Sequence, residues 1–365
     1  MNLIVIASSL LLFEVTAAVP IDMFYNFGLF HGDKALPKGF MERSERIRLK
    51  GGFKFLGDRI YNIWVTTDGY LALDHFTDQF ASEINPFPSP TDGSLIAPFL
   101  ADIDTSGVGN IYYRHITDAD DPTLKAINDD VNNANFKEFN NASFKANMAV
   151  IATWNQVGYF HGHSDKNNTF QVVLATDDVN ATIAIFHYLD NGLNWYQFDA
   201  DYYDDYSDDD LSDSQVQVGF NKGGMSGGSV PSLMAYTLSP KVIELDKGSN
   251  TKILGQWIFS IGDDNITEPV NGKPDSLIDS VSAVLLFVCG KSVQKCLRKG
   301  KCKKRLRQFR ESCNYLWEED SSVCSSSCKR SVRRLINNKQ GKNLWYCTYH
   351  FGFWNKLRNT FNDKC

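Results

Sequence analysis

No cysteine precedes Cys289 in this 365-residue chain. Disulfides therefore cannot hold its larger part together, and that part must rely on core burial. No apolar run is long enough to span a bilayer as a helix. Leu3 to Phe13 is too short, and Leu277 to Val288 is short and interrupted by Asp279, Ser280 and Ser282. No long segment before Ser276 has convincing helical period either. Neither half shows the residue sets that enzymatic chemistry requires.

What is present divides the chain in two. All eight cysteines fall between Cys289 and Cys365. Residues 289–365 hold 19 Lys and Arg against 5 Asp and Glu, a net of +14, while the remainder holds 18 against 38, a net of −20. Such asymmetry implies different partners for the two parts, or an electrostatic contact between them. The small tail buries little apolar surface by itself and is expected to need cross-links.

The N-terminus has the form of a secretory signal. The apolar run Leu3–Phe13 is followed by the small residues Thr16-Ala17-Ala18, so cleavage is expected after Ala18. The even, clustered cysteines fit an oxidising compartment. Four sequons agree with export: Asn141-Ala142-Ser143, Asn167-Asn168-Thr169, Asn180-Ala181-Thr182 and Asn265-Ile266-Thr267.

The body reads as β structure. Two strand-forming runs flank Asp68-Gly69 between Ile60 and Asp74, a hairpin signal. Asn110–Ile116 and Met148–Val157 are rich in β-branched and aromatic residues. Phe170, Val172 and Leu174 alternate, as do Ile183, Ile185 and His187 beyond a polar turn. Val216–Phe220 and Gln256–Ile261 are further short candidates. Many short strands between Gly, Pro, Asn and Asp turns predict a mainly β body, sandwich or barrel-like. Ile127–Asn141 reads as a polar loop, Asp199–Asp213 as an exposed acidic insertion and Asp263–Asp275 as the start of an interdomain linker.

The tail changes to helical spacing. Cys289, Val293 and Cys296 share one face, as do Cys302, Leu306, Phe309 and Cys313, and then Cys328, Val332, Leu335 and Ile336. The expectation is a small helical bundle stapled from inside by Cys289, Cys296, Cys302, Cys313, Cys324, Cys328, Cys347 and Cys365. Spacing alone leaves 105 pairings open.

Possible reactive sites are weak. Gly224-Met225-Ser226-Gly227-Gly228 fits the letters of a nucleophile elbow, but Gly227-Gly228-Ser229-Val230-Pro231 cannot begin the helix that must follow. His161-Gly162-His163, near Asp165, lacks a third metal ligand and reads as a polar turn. Asp102 and Asp104 imitate the opening of a calcium loop, with Tyr113 where a bidentate Glu belongs. Calcium there is the only cofactor the sequence suggests; the competing reading is a turn whose aspartates accept backbone N–H groups. Lys299, Lys301, Lys303, Lys304, Arg305, Arg307 and Arg310 form a dense basic cluster on an expected helix. For an exported chain nucleic acid is not the expected partner, and sulfated glycosaminoglycan is the natural polyanion.

An ordered series of short motifs carries a resemblance. Phe24-Tyr25-Asn26-Phe27-Gly28, Gly32-Asp33 and Leu36-Pro37 come first, then Phe53-Lys54-Phe55-Leu56-Gly57 and Ile63-Trp64-Val65-Thr66-Thr67-Asp68-Gly69. Ile96 to Thr105, Tyr112-Tyr113-Arg114, Ala152 to Val157, Asn168 to Ala175, Val218 to Asn221 and Gly255 to Phe259 follow. This order resembles the NIDO domain of nidogen, alpha-tectorin and some mucins, over roughly residues 21–262. The resemblance implies a matrix or cell-surface module associated with cell–matrix adhesion, without a catalytic set. The tail spacing is similar to the GDNF receptor/GAS1 cysteine-rich domain, departing at Tyr349, and that similarity implies a ligand-binding helical module.

The expected organisation is a signal peptide over 1–18, a NIDO-like β domain over 19–262, a linker over 263–287 and a cysteine-rich helical domain over 288–365. The expected function is a secreted, non-enzymatic matrix or adhesion protein that binds extracellular matrix or cell-surface proteins. The alternative is a receptor-like factor whose tail captures the ligand.

Overall fold

The computed structural model describes residues 19–75, 87, 89, 92–139, 143–177, 181–196, 216–223, 233–234, 236–237, 240–270 and 277–278. The expected signal peptide, the acidic insertion 199–213, the Gly224–Gly228 motif and the whole cysteine-rich segment, with its cysteines and basic cluster, lie outside the described residues.

The body is a sandwich of two antiparallel sheets. In the first, β1 (Lys34–Ala35), β7 (Asn110–Ile116), β8 (Met148–Tyr159), β9 (His163–Thr176), β10 (Thr182–Leu193) and β13 (Gln256–Ser260) lie in that order, and β6 (Ile103–Asp104) pairs with β8. In the second, the order is β14 (Leu277–Ile278), β12 (Leu233–Met234), β11 (Gln217–Asn221), β5 (Leu95–Leu100), β4 (Leu71–Leu73), β3 (Asp58–Val65) and β2 (Ile47–Phe55). The β3–β4 hairpin turns at Asp68-Gly69 as the sequence predicts. Gly69 sits at φ +76°, and a Cβ there would lie 1.9 Å from the carbonyl oxygen of Phe99. Only glycine permits this turn and this approach.

Aromatic and β-branched residues from both sheets fill the space between them. Val150, Ala152, Trp154, Phe170, Val172 and Phe186 meet Phe55, Ile63, Val65, Ile96, Phe99 and Phe220. Ring pairs cross the layers: Phe99 with Phe170 at 5.4 Å and Phe186 with Phe220 at 5.5 Å between centroids. Two buried polar groups also cross. The Trp154 indole N–H donates to the carbonyls of Thr66 and Thr67 at 3.2 and 3.0 Å, and Tyr188 Oη donates to the Pro98 carbonyl at 2.7 Å.

The alternate residues of β8, β9 and β10 do not face water. Ala149, Ile151, Val173, Ala175, Ile183 and Ile185 lie under a second apolar layer. Its cover includes a helix, α1 (Pro122–Ala134), whose Leu124, Ile127 and Val131 are buried. This corrects two expectations, the absence of helical period before Ser276 and the polar loop over Ile127–Asn141. The helix is specified in the ordinary way. Asp121 caps it by accepting from Thr123 N at 2.7 Å, Pro122 takes the first turn, and Asn135 ends it in the left-handed region. The run of Asn and Asp from Asn128 to Asn133, broken only by Val131, hides the apolar spacing.

Residues in the expected linker meet the body. Ser260 and Thr267 exchange two backbone hydrogen bonds at 3.0 Å, Val270 N donates to Asn135 O, and β14 pairs with β12.

Trp154→Phe should remove the indole donor from the buried Thr66 carbonyl. The expected loss is about 1–3 kcal/mol, read as a lower urea midpoint at unchanged denaturant slope. An unchanged midpoint would show that the cross-layer bonds carry no net stability.

Candidate partner-binding site

An N-terminal strap, residues 19–33, crosses the outer side of the first sheet. Its fixing points are specific. Val19 donates to Leu254 O and accepts from Asp190 N, both at 2.9 Å. Gln171 on β9 grips Tyr25 at both ends of its backbone, accepting from its N–H at 3.1 Å and donating to its carbonyl at 2.9 Å. The Tyr25 hydroxyl donates to Asp130 on α1. Burial, then the Asp130 carboxylate, pushes the Tyr25 phenol well above its usual range, and burial raises Asp130.

The strap then turns through a knuckle, Gly28 to Asp33. Asp33 Oδ2 accepts from Gly28 N at 2.6 Å, and Asp33 Oδ1 accepts from the Arg114 guanidinium at 2.7 Å. The same guanidinium donates to Asn26 O. The ion pair is buried, with side-chain exposures of 2% for Asp33 and 11% for Arg114. It brings together motifs more than eighty positions apart, Phe24–Gly28 and Gly32-Asp33 with Tyr112–Arg114 on β7. Phe27 packs against Tyr112 with ring centroids 6.1 Å apart.

At the tip stand Leu29, 65% exposed, and Phe30, fully exposed, with Ile21 and Met23 also exposed along the strap. Large apolar side chains held in solvent by a buried ion pair have the form of binding anchors. In the sequence Phe24–Gly28 and Gly32-Asp33 stand out only as motifs. The signal for the knuckle is the apolar pair Leu29-Phe30 between Gly28 and Gly32.

The strap also buries an imidazole. His187 of β10 stacks on Tyr25 at 5.4 Å and lies 5.7 Å from Phe24. Gln256 Nε2 lies 3.2 Å from His187 Nε2. Thr251 Oγ1 donates to Gln256 Oε1, so the amide nitrogen is the donor and His187 Nε2 the acceptor. The proton then sits on Nδ1, which has no partner among the described residues. Burial pushes the His187 pKa down to about 3.

The sequence-predicted sites fall elsewhere. Asp104 is buried and accepts from Ser106 N at 2.7 Å, forming a turn, and Asp102 O accepts from Phe160 N at 3.1 Å. His161 and Gly162 lie in the β8–β9 turn; His163 stacks on Tyr159, whose hydroxyl donates to Asp165 at 2.8 Å. That bond lowers the Asp165 carboxyl. Among the described residues no three His, Cys, Asp or Glu side chains converge as a metal set. Of the sequons, Asn265 is exposed, Asn167 is half-buried, and Asn141 and Asn180 lie outside the described residues. No helix among the described residues is long and apolar enough to cross a membrane.

The family profile described as Nidogen-like domain matches residues 61–263. The chain belongs to the nidogen-like domain family. Nidogen-1 of Mus musculus is 33% identical over 251 residues, covering 65% of this chain and 19% of that protein. Alpha-tectorin of Gallus gallus is 31% identical over 241 residues, covering 66% of this chain and 11% of that protein. Nidogen of Drosophila melanogaster is 28% identical over 276 residues, covering 73% and 18%. The chain thus spans less than a fifth of the length of these relatives. No solved structure matches it. The profile match begins inside β3. In this nidogen-like domain the strap and β2 precede the match, yet Gln171, Arg114 and the β2–β3 pairing tie them to it.

Two outcomes test this arrangement. Asp33→Asn leaves Arg114 buried without its counter-charge and should cost about 3–5 kcal/mol, read by denaturant unfolding; a loss under about 1 kcal/mol would mean the guanidinium is satisfied without Asp33. For His187 the folded pKa lies below the unfolded value of about 6.5. The unfolded chain therefore binds the extra proton between pH 6.5 and 3, and its contribution is retained above that window and lost as pH falls through it. Its share of the loss from pH 7 to 5 should be about 2 kcal/mol. Asp130 and Asp246, raised by burial, act in the opposite sense. His187→Phe isolates the effect: its stability should fall less between pH 7 and 5 than that of the parent, and equal falls would refute the assignment.

Proposed function

We propose that this chain is a secreted, non-enzymatic protein of the extracellular matrix or cell surface, acting in adhesion by binding other extracellular proteins. The observation that carries the reading is the buried Asp33–Arg114 pair fixing a knuckle that holds Leu29 and Phe30 in solvent, within a nidogen-like domain. A partner that covers these two side chains removes apolar surface from water without first ordering the loop, because the ion pair and the Gly28–Asp33 bond have already ordered it. Relatives named nidogen and alpha-tectorin support a matrix setting for the body. The basic, cysteine-rich tail supplies a second, electrostatically distinct module, and sulfated glycosaminoglycan is its expected polyanion. Calcium at the Asp102–Asp104 turn remains part of this proposal only as a weak ligand of carboxylate and carbonyl oxygens.

Export has a direct test. The mature protein should begin at Val19 and carry an N-glycan at Asn265, whose side chain is exposed. Intact mass before and after N-glycosidase treatment checks both, and an intracellular, unglycosylated chain beginning at Met1 would refute export. The knuckle is tested by the double variant Leu29→Ala, Phe30→Ala. Both side chains are exposed, so stability should change by no more than about 0.5 kcal/mol. Binding to a matrix extract or to the partner recovered by crosslinking should weaken about tenfold or more. Undiminished binding would exclude the knuckle as the contact.

A further inference from the structure

The edge strand β2 of the second sheet carries a charge pattern that the composition of the body does not predict. On β2 and just before it, Arg46, Arg48 and Lys50 are exposed while Ile47 and Leu49 between them are buried. In extended chain this sets three cations in one row, about 6.6 Å apart. Beyond the row the ladder is interrupted. The β2–β3 register shifts between Arg48 and Phe53, and Gly51 and Gly52 both take positive φ, +90° and +71°. A Cβ on Gly52 would lie 2.5 Å from Ile60 O and 3.0 Å from the Tyr61 ring, so the glycine makes room for that half-exposed ring. On the far side of the bulge Arg59 of β3 stands directly opposite Lys54 of β2. Arg59 donates to Gly51 O at 2.6 Å, which uses one of its five N–H groups.

The segment has few carboxylates, and its neighbours use them. Glu45 pairs with Lys34 at 2.9 Å and Asp58 with Lys222 at 3.3 Å. Among the described residues no carboxylate lies within ion-pair distance of Arg46, Arg48, Lys50 or Arg59. Charge on an exposed edge strand guards against pairing with another chain, which accounts for some of this row. It does not account for Arg59, which sits on the inner strand β3. Nor does it account for the sign, since outside the tail the chain carries a net −20.

We propose that the outer face of β2–β3 is a binding surface for a linear sulfated polysaccharide. The chain lies along β2, with sulfates on Arg46, Arg48 and Lys50. Arg59 offers its free guanidinium edge past the bulge, in the bidentate geometry that suits a tetrahedral oxyanion. Tyr61 presents a flat ring for the C–H face of a sugar, a contact that a purely acidic peptide does not supply. The choice of polysaccharide over other polyanions rests on the export reading above. Its residues are other than those of the basic tail cluster and other than Leu29 and Phe30.

The test uses the full chain and heparin. The parent, the triple variant R46Q/R48Q/K50Q and a tail variant K301Q/K303Q/K304Q are titrated with heparin over a salt series. Each neutralised contact should lower the slope of log K against log salt by about 0.7–0.9, so the triple variant should lose about 2–3 from the slope. Its affinity near physiological salt should fall about tenfold or more, in the parent and tail-variant backgrounds alike. Its melting temperature should stay at the parent value, because the three side chains are exposed. Tyr61→Ala should weaken heparin binding without changing the salt slope, which a purely ionic contact would not do. A triple variant that keeps the parent's slope and affinity overturns the proposal. Equal binding of polyglutamate and heparin to the parent, both lost in the triple variant, overturns the polysaccharide assignment and leaves an acidic-peptide surface. Export fails separately, on the mass and glycan of the native chain, and these titrations do not depend on it.

Discussion

A body with no cysteine is held by layers, and here the middle layer has no solvent face. The even-numbered residues of β8, Val150, Ala152 and Trp154, enter the space between the sheets, while the odd-numbered Ala149 and Ile151 enter the outer cluster. β9 and β10 divide in the same way. A sheet buried on both faces needs cover on both, or its outer apolar residues meet water at about 25 cal/mol for each Å². The second sheet supplies one cover. Helix α1 and the N-terminal strap supply the other, and the remaining features follow from how that cover is fixed.

Fixing the strap needs polar groups inside an apolar layer, where an unpaired group is costly. Gln171 meets this by pairing both backbone groups of Tyr25. The Arg114–Asp33 pair meets it by sharing its hydrogen bonds with Asn26 and Gly28. His187 meets it only in part: the neutral ring accepts from Gln256, and burial holds off protonation. The strap therefore runs from the buried imidazole on β10 to the place where Leu29 and Phe30 emerge.

Two surfaces of opposite character result, on a molecule whose described residues assemble no metal-binding cluster. The knuckle is apolar and pre-ordered. The β2–β3 face is cationic on an otherwise acidic body. The Asp102–Asp104 turn, where calcium was expected as a possibility, spends Asp104 on the amide of Ser106. In the adhesion role proposed above, such surfaces are where partner choice can reside, because patch shape and charge set both contact area and encounter rate.

Much of this was legible in the chain itself. Alternating β-branched and aromatic residues marked β7 through β10, and Asp68-Gly69 marked its hairpin, because a two-residue side-chain period and a positive-φ turn are local properties. The ordered motifs pointed to the nidogen-like family over most of the body. Helix α1 was not legible, because Asn128, Asp129, Asp130, Asn132 and Asn133 outnumber its four buried apolar positions, and the partners that take up Asn128, Asp130 and Asn132 come from elsewhere in the chain. The pairing of Asp33 with Arg114 was not legible either, nor was the lack of ion pairs to Arg46, Arg48 and Lys50 among the described residues. Sequence determined which residues could be inside and which turns could form, since those depend on neighbours along the chain. Which side chain answers a buried charge, and which charge is left facing solvent, was decided only by the tertiary structure, because residues eighty positions apart meet across a sheet.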